Sequence, residues 1–275
     1  MNAFKQQCIT LRKQDYTINE IMRITGRAKS SIYPHIYSIP LSAEKREQIK
    51  KASAEHIRRF PQERKGKSAR KFIPFSRWTP ELVLLVAHLS FDGEIARARC
   101  VYNNNSLSLI ERVEKLMRCI YSFEPKRSKN SAGVTRTSYY NVALSNYLKQ
   151  KSEELFSQVV NMPLKYQREF LRAFFDDEGC MDFRIKRNHR KIRGYQKNVN
   201  VLCLAQELLR NFNIDSRVQM PNEIEIIGKA NLVKFQKEIN FSPGVRINGN
   251  RKNSIWKKPL EKRDILKQAI LSFKS

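Results

Sequence analysis

The chain of 275 residues has no apolar run long enough to cross a bilayer; its longest, LVLLVA at 82–87, is about a third of the length required. It also lacks any CxxC pair. The five cysteines, Cys8, Cys100, Cys119, Cys180 and Cys203, are odd in number, which argues against both a zinc site and a disulfide framework and fits a reduced setting. The opening residues, MNAFKQQCITLRKQ, show neither the apolar region nor the cleavage pattern of a signal peptide. An intracellular location, cytoplasmic, nucleoid-associated or organellar, is the expectation, with no membrane partner. Acidic side chains are scarce: 26 Asp and Glu stand against 53 Lys and Arg, for a net charge of +27. Such an excess opposes compaction and attracts polyanions, nucleic acid before an anionic membrane. With 41% hydrophobic residues the chain has material for a core, and its length suits two modest domains or one large domain with an appendage.

Residues 16–39, YTINEIMRITGRAKSSIYPHIYSI, have the rhythm of a helix-turn-helix. Thr17 suits a cap for a helix carrying Ile18, Ile21, Met22 and Ile24, Gly26 supplies the turn, and Ile32 and Ile36 face back. A preceding helix at about 4–14 offers Phe4, Cys8, Ile9 and Leu11 to complete a three-helix core. The stretch resembles the small helix-turn-helix modules of resolvases and bacterial regulators. That likeness places Lys29, Ser30, Tyr33 and His35 on or near a recognition helix in reach of a major groove. Pro34 departs from it, because a proline inside a helix removes a hydrogen bond and kinks the axis. A basic linker follows at 42–77, with twelve Lys or Arg against four Glu. Its first part is compatible with helix, and PQERKGKSARK reads as flexible; such a tether adds sequence-blind phosphate affinity.

Beyond the linker the pattern repeats. TPELVLLVAHLSFDGE at 79–94 and MPLKYQREFLRAFFDDEGC at 162–180 each place proline near a first helical turn, then an apolar helical pattern, then an acid followed by glycine. Asp92-Gly93 and Glu178-Gly179 stand 86 residues apart. The glycines suit left-handed C-caps. Three consecutive acids, Asp176, Asp177 and Glu178, at the negative end of a helix dipole are costly. Two like charges ~4 Å apart repel by about 4 kcal/mol at an effective dielectric of ~20.

After Glu178, MDFRIKR alternates Met181, Phe183 and Ile185 with charged residues, as in a half-buried strand; GYQKNVNV at 194–201 is its expected partner across the turn NHRKIR. A helix at 201–212, strands at 214–220 and 223–227, and a helix at 229–239 complete that half. The first half offers EIARARCVY, a helix at 106–120, strands at 123–128 and 137–144, and a helix at 145–158, with its first hairpin cut short at Asn103–Asn105. Both halves read α-β-β-α-β-β-α, an internal repeat expected to form a pseudo-two-fold saddle with the acidic helices at its centre.

LVAHLSFDG at 85–93 and LRAFFDDEG at 171–179 resemble the two signature motifs of single-chain LAGLIDADG homing endonucleases, a likeness that covers about 78–275. It implies an α+β fold in which a first repeat, 78–160, and a second, 161–275, pair into a DNA-binding saddle, with the small all-α module at 1–41 outside it. It further implies a monomer in which Asp92 and Glu178, with neighbouring Gly93 and Gly179, form metal sites. Magnesium is the implied cofactor, manganese or calcium being able to substitute. Ala87 and Ala173 keep the small third position, whereas Phe91 and Asp177 stand where the seventh is usually small, and Ser90 stands opposite Asp176 at the sixth.

The likeness also implies a lysine near each centre, with Lys257 or Lys258 the candidates in the second half and Lys149 or Lys151 in the first. Strand residues facing the saddle are expected to contact major-groove base edges, arginine favouring guanine and asparagine or glutamine favouring adenine, or else phosphates: Arg97 and Arg99 in the first half, and Arg184, Lys186, Arg187, Asn188, Arg190, Arg193 and Gln196 in the second. The activity so implied is site-specific cleavage of both strands of a long asymmetric duplex, leaving 3′ overhangs. The competing expectations are a transcriptional regulator that binds DNA without cutting it, and a maturase acting on intron RNA.

Overall fold

The computed structural model describes residues 3–64, 70–131, 133–247 and 256–273. The chain divides into two compact units, Met1–Ala69 and Arg70–Ser275. Part of the expected flexible stretch, 65–69, lies outside the described residues.

In the first unit, α1 (Ala3–Lys13), α2 (Ile18–Thr25) and α3 (Lys29–Ile36) close around Cys8, Ile21, Ile32 and Ile36. The start of α2 is fixed by a reciprocal cap: the Glu20 amide donates to Thr17 Oγ1 at 3.3 Å and the Thr17 amide to Glu20 Oε2 at 2.6 Å. Gly26, at φ 64°, stops it in the left-handed region. Pro34 is accommodated inside α3. The basic segment that follows forms α4 (Ala43–Arg64), 22 residues long. No helix among the described residues is long and apolar enough to cross a membrane.

The second unit is two copies of one topology. The first copy is α5 (Pro80–Phe91), β1 (Gly93–Ala96), β2 (Arg99–Asn104), α6 (Leu107–Met117), β3 (Lys126–Lys129), β4 (Thr135–Tyr140) and α7 (Val142–Gln158). The second is α8 (Leu164–Glu178), β5 (Gly179–Arg184), β6 (His189–Tyr195), α9 (Val199–Asn211), β7 (Arg217–Gln219), β8 (Glu223–Ile227) and α10 (Lys229–Glu238), followed by an additional helix, α11 (Lys262–Leu271). The sheets are antiparallel with identical orders, β1-β2-β4-β3 and β5-β6-β8-β7. Helices α5 and α8 pack on one another, with Ala87 and Ala173 wholly buried, and Phe91 sits edge-on to Phe170 and Phe174. Small residues let the two backbones approach, and the aromatic edges fill the space beside them.

Several boundaries differ from those read in the sequence. The partner of β5 is His189–Tyr195, not 194–201: the turn is tighter, Ile185–Asn188, with Asn188 at φ 52°, and Asn198 caps α9. Ile185 therefore lies in the turn and is exposed. β2 is not cut short at Asn103–Asn105; Asn103 and Asn104 pair with Arg136 and Thr135. β4 ends at Tyr140 because the Asn141 side chain accepts the Leu144 amide at 3.1 Å and starts α7. Residues 70–77, read as tether, belong to the second unit: the Ile73 amide donates to Ile120 O, and Phe72 and Phe75 pack on its core.

The motif glycines are extended rather than left-handed. Gly179 has φ −99° and ψ 158°, and Gly93 is likewise outside the positive-φ set. Their requirement is space: a Cβ would lie 2.2 Å from Leu89 O at Gly93 and 2.5 Å from Phe175 O at Gly179. Each chain turns from helix to strand against its own last helical turn.

Candidate active site

Helices α5 and α8 end side by side at a cleft of about 1520 Å³ whose lining includes Asp92, Gly93, Asp176, Asp177, Glu178, Gly179 and Lys262. The two motif acids thus share one cavity, although each comes from a different repeat.

The three consecutive acids point to three different places, as successive residues on a helix must. Asp176 is turned under the helix end, where the Ser242 amide donates to Oδ1 at 2.9 Å and Arg112 Nη1 lies 3.3 Å from Oδ2. Asp177 is buried between the repeats: Tyr102 donates its hydroxyl to Oδ1 at 2.6 Å and His88 Nδ1 lies 2.9 Å from Oδ2. Glu178 faces the cleft and accepts from Gln196 Nε2 at 3.3 Å. Lys262, from α11, is buried and donates to the carbonyls of Phe175 at 3.3 Å and Asp176 at 2.6 Å. A cation there answers the dipole at the end of α8.

In the first repeat Asp92 accepts from Asn104 Nδ2 at 2.6 Å, and Asn104 also donates to Tyr102 Oη at 3.3 Å. Gln196 and Asn104 are equivalent by register. Gly179 pairs with Gly194 and Gly93 with Tyr102, and each amide-bearing residue lies two further along. Each repeat therefore presents one carboxylate steadied by one neutral amide, and neither acid forms an ion pair with a described residue.

The electrostatics follow. Burial pushes the Asp92 carboxyl up to about 8, helped by the charges of Asp177 and Glu178. Glu178 is raised to about 7, first by burial and then by Asp177. Burial holds Lys262 below its ordinary value. Burial would also lower His88, but Asp177 beside it reverses the direction and raises it. The charge of Lys262 in the cleft wall offsets only part of this, and two partly dehydrated carboxylates held together without an ion pair form a site that gains from a bound cation. The described residues contain no group of three or more His, Cys, Asp or Glu suited to a metal. The donor set is instead two carboxylates in an open cleft, which suits a hard, partly hydrated ion that also takes ligands from a phosphate.

The other expected residues are dispersed. Lys257 and Lys258 are exposed and outside the cleft lining, although their neighbours Trp256 and Pro259 belong to it. The buried lysine at the helix end is Lys262. Lys151 pairs with Glu154 at 2.7 Å, and Lys149 lines a separate depression of about 560 Å³. Arg97 is exposed in the two-residue turn between β1 and β2, and Arg99 lies 3.6 Å from Glu94. Lys186, Arg187 and Asn188 occupy the exposed β5–β6 turn.

On the second sheet Arg184 and Arg193 share the outer face with Asp182, and Gln196 reaches Glu178. Arg190 does not belong with them. It pairs with buried Phe183, on the helix side of the sheet, donates to Ser272 Oγ at 2.7 Å and lies over Phe273. Alternation along β6 sends it away from the saddle face. In the first unit Lys29, Ser30 and Tyr33 are exposed on α3, while His35 is half-buried edge-on to Phe4.

Residues 165–240, within the second repeat, match the LAGLIDADG-like domain family. Residues 165–240 thus form a LAGLIDADG-like domain, and the first repeat, outside the match, has the same sheet order. Among solved structures it is similar to the homing endonuclease I-DmoI in complex with DNA and calcium: 15% identity, 60% of this chain and 91% of that one, TM-score 0.47. The N-terminal LAGLIDADG domain of WhiA shows 18% identity over 62% of this chain and 88% of that one, with a TM-score of 0.45. Full-length WhiA from Thermatoga maritima gives 16%, 74%, 63% and 0.48 for the same measures. No curated protein matches the chain.

Proposed function

We propose that this protein is a site-specific endonuclease of double-stranded DNA that depends on a divalent metal ion. The observation that carries the reading is the shared cleft. Asp92 and Glu178, equivalent residues of two repeats, stand there with raised pKa values and no ion pair to a described residue, in a chain of net charge +27.

Asp92 and Glu178 would hold the metal, with magnesium favoured by an all-oxygen donor set. An ion held there would supply the chemistry of water activation and charge neutralisation at the phosphate. The chain's own contribution is orientation. Asn104 and Gln196 steady the two carboxylates, the glycines bring them to the helix ends, and Lys262 fixes the end of α8 through its carbonyls. The backbone at Gly93 and Gly179 lies at the same cleft, as the resemblance requires of metal-site neighbours. The basic side chains of the sheets and of α3 would grip the duplex, including Arg97, Arg99, Lys186 and Arg187, and Lys29, Ser30 and Tyr33 in the first unit.

Plasmid carrying a target selected from a randomised duplex library should be cut by the wild type with Mg²⁺ and not with EDTA. Asp92→Asn and Glu178→Gln should bind it within a few-fold of wild type while completing the double-strand break slower by about 10³-fold or more, the equivalent of several kcal/mol of transition-state stabilisation. Tight binding by a wild type that cuts nothing would sink the catalytic reading. Deleting residues 1–69 should weaken DNA affinity and flatten its salt dependence while sparing cleavage, since both acids lie in the second unit. An unaltered salt slope would remove the first unit from the interface.

A further inference from the structure

The outer face of the second sheet is a lattice of opposite charges rather than a bed of free cations. The Arg193 guanidinium forms a forked pair with Glu223, Nε to Oε1 and Nη2 to Oε2. Asp182 Oδ2 lies 3.8 Å from its Nη1, and Lys191 pairs with Glu225 on the adjoining strand. Arg193 and Asp182 also line the cleft that holds Asp92 and Glu178, so this face is continuous with the proposed cutting site. On the first sheet the fork lies on the other face: Arg127 of β3 is clamped by Glu114 of α6 on the helix side, whereas on the outer face Arg136 Nε donates to an amide, Asn103 Oδ1, at 2.9 Å.

A cation neutralised by a carboxylate adds little to phosphate affinity, which depends on releasing counterions. It is suited to something else. The fork with Glu223 engages the Nε–Nη2 edge and fixes the plane of the guanidinium, leaving the edge that carries Nη1 with parallel donors. Two parallel donors on a fixed plane match O6 and N7 of guanine in a major groove, which a β-ribbon is able to enter.

We propose that Arg193, held in orientation by Glu223, reads one guanine in the part of the target that lies beneath the second sheet. The assignment rests on the reading of this unit as a duplex-DNA-binding protein. Arg193 is the specificity-determining side chain and Glu223 its positioning residue.

The test uses the full chain. A preferred duplex is selected from a randomised library, and binding is then titrated against its single-base-pair variants at two salt concentrations. Arg193→Lys, which keeps the charge but loses the fork, should erase the guanine preference at one base pair by about 5- to 150-fold and leave the other positions and the salt slope unchanged. Glu223→Gln should bind every duplex more tightly, having removed one negative charge, yet discriminate less at that same pair. Arg193→Lys with all preferences intact, a loss spread evenly over the site, or Glu223→Gln with full discrimination would each overturn the assignment. A wild type that selects no sequence would overturn the DNA-binding reading beneath it, and the assignment with it.

Discussion

The two repeats of the second unit share sheet order, a motif glycine without room for a Cβ, an acid at the cleft and an amide beside that acid. They differ in what lies behind the acid. In the first repeat Ser90 donates to Val86 O and meets Ser152 Oγ at 2.8 Å, and His88 reaches across to Asp177. In the second, Asp176 and Asp177 are both buried, and Lys262 from outside the repeat closes the helix end. Topology has survived a change of nearly every supporting side chain. The constraint common to both copies is steric and electrostatic: a helix must turn into a strand against its own last turn and leave one carboxylate facing the cavity.

If each copy serves one DNA strand, the sharpest test of their equivalence is what a single lesion leaves. Asp92→Asn and Glu178→Gln, examined separately, should convert double-strand cutting into nicks, each on a different strand, and strand-specific end-labelling reads this directly. Both variants abolishing both cuts would mean that the acids act as one centre.

The next largest effect is expected where the copies differ most. Asp177→Ala leaves His88 and the Tyr102 hydroxyl without their partner in a dry interface, at a cost of about 3–5 kcal/mol for an uncompensated buried charge. The double variant His88→Leu with Asp177→Ala should recover much of that loss, because an apolar contact replaces the pair. Thermal melting of the four forms decides it, and a double variant as unstable as the single would show that the pair matters for shape instead of charge.

Gly93→Ala and Gly179→Ala probe what the copies share. With the new methyl 2.2 and 2.5 Å from a backbone carbonyl, both should lose about 3 kcal/mol, a melting shift of roughly 6–12 °C for a unit of this size, with Gly93 the worse. Melting points unmoved by either would refute the close-approach account.

Much of this arrangement was legible in the sequence, because the repeat is written in local signals. Proline at a helix start, apolar periodicity and acid-glycine at the end located α5 and α8, and they brought Asp92 and Glu178 to one cleft as the resemblance implied. What escaped depended on register or on distant chain. Asn104 reads as part of a polar break, and only strand pairing shows that it occupies the position of Gln196. Arg190 reads as a saddle residue until the hairpin turn is fixed at Ile185–Asn188, since one residue of slip moves a side chain to the other face. Lys262 had a signal of its own. It falls in the helical stripe with Ile265, Leu266 and Ala269, all buried, and a lysine on an apolar stripe must find carbonyl or carboxylate partners. Lys257 and Lys258, nearer in sequence to Trp256, are exposed, because the turn at Lys257 precedes that helix.

The smallest expected effect separates the metal-free molecule from the loaded one. Asp92, ordinarily ionising near 3.8, is pushed up to about 8 by burial and then by the charges of Asp177 and Glu178. Between those values the folded chain keeps a proton that the unfolded chain releases, so wild-type stability falls as pH rises through the window and levels off above it. Asparagine carries no such proton. In EDTA, Asp92→Asn should therefore melt with the wild type near pH 4 and above it near pH 8. Magnesium at pH 8 should reverse the order, because a bound cation takes the place of the proton in the wild type and finds one carboxylate fewer in the variant. A wild type whose advantage over Asp92→Asn in EDTA grew with pH would mean that the carboxylate is already compensated by the protein, and that the cleft has no use for a metal at that position.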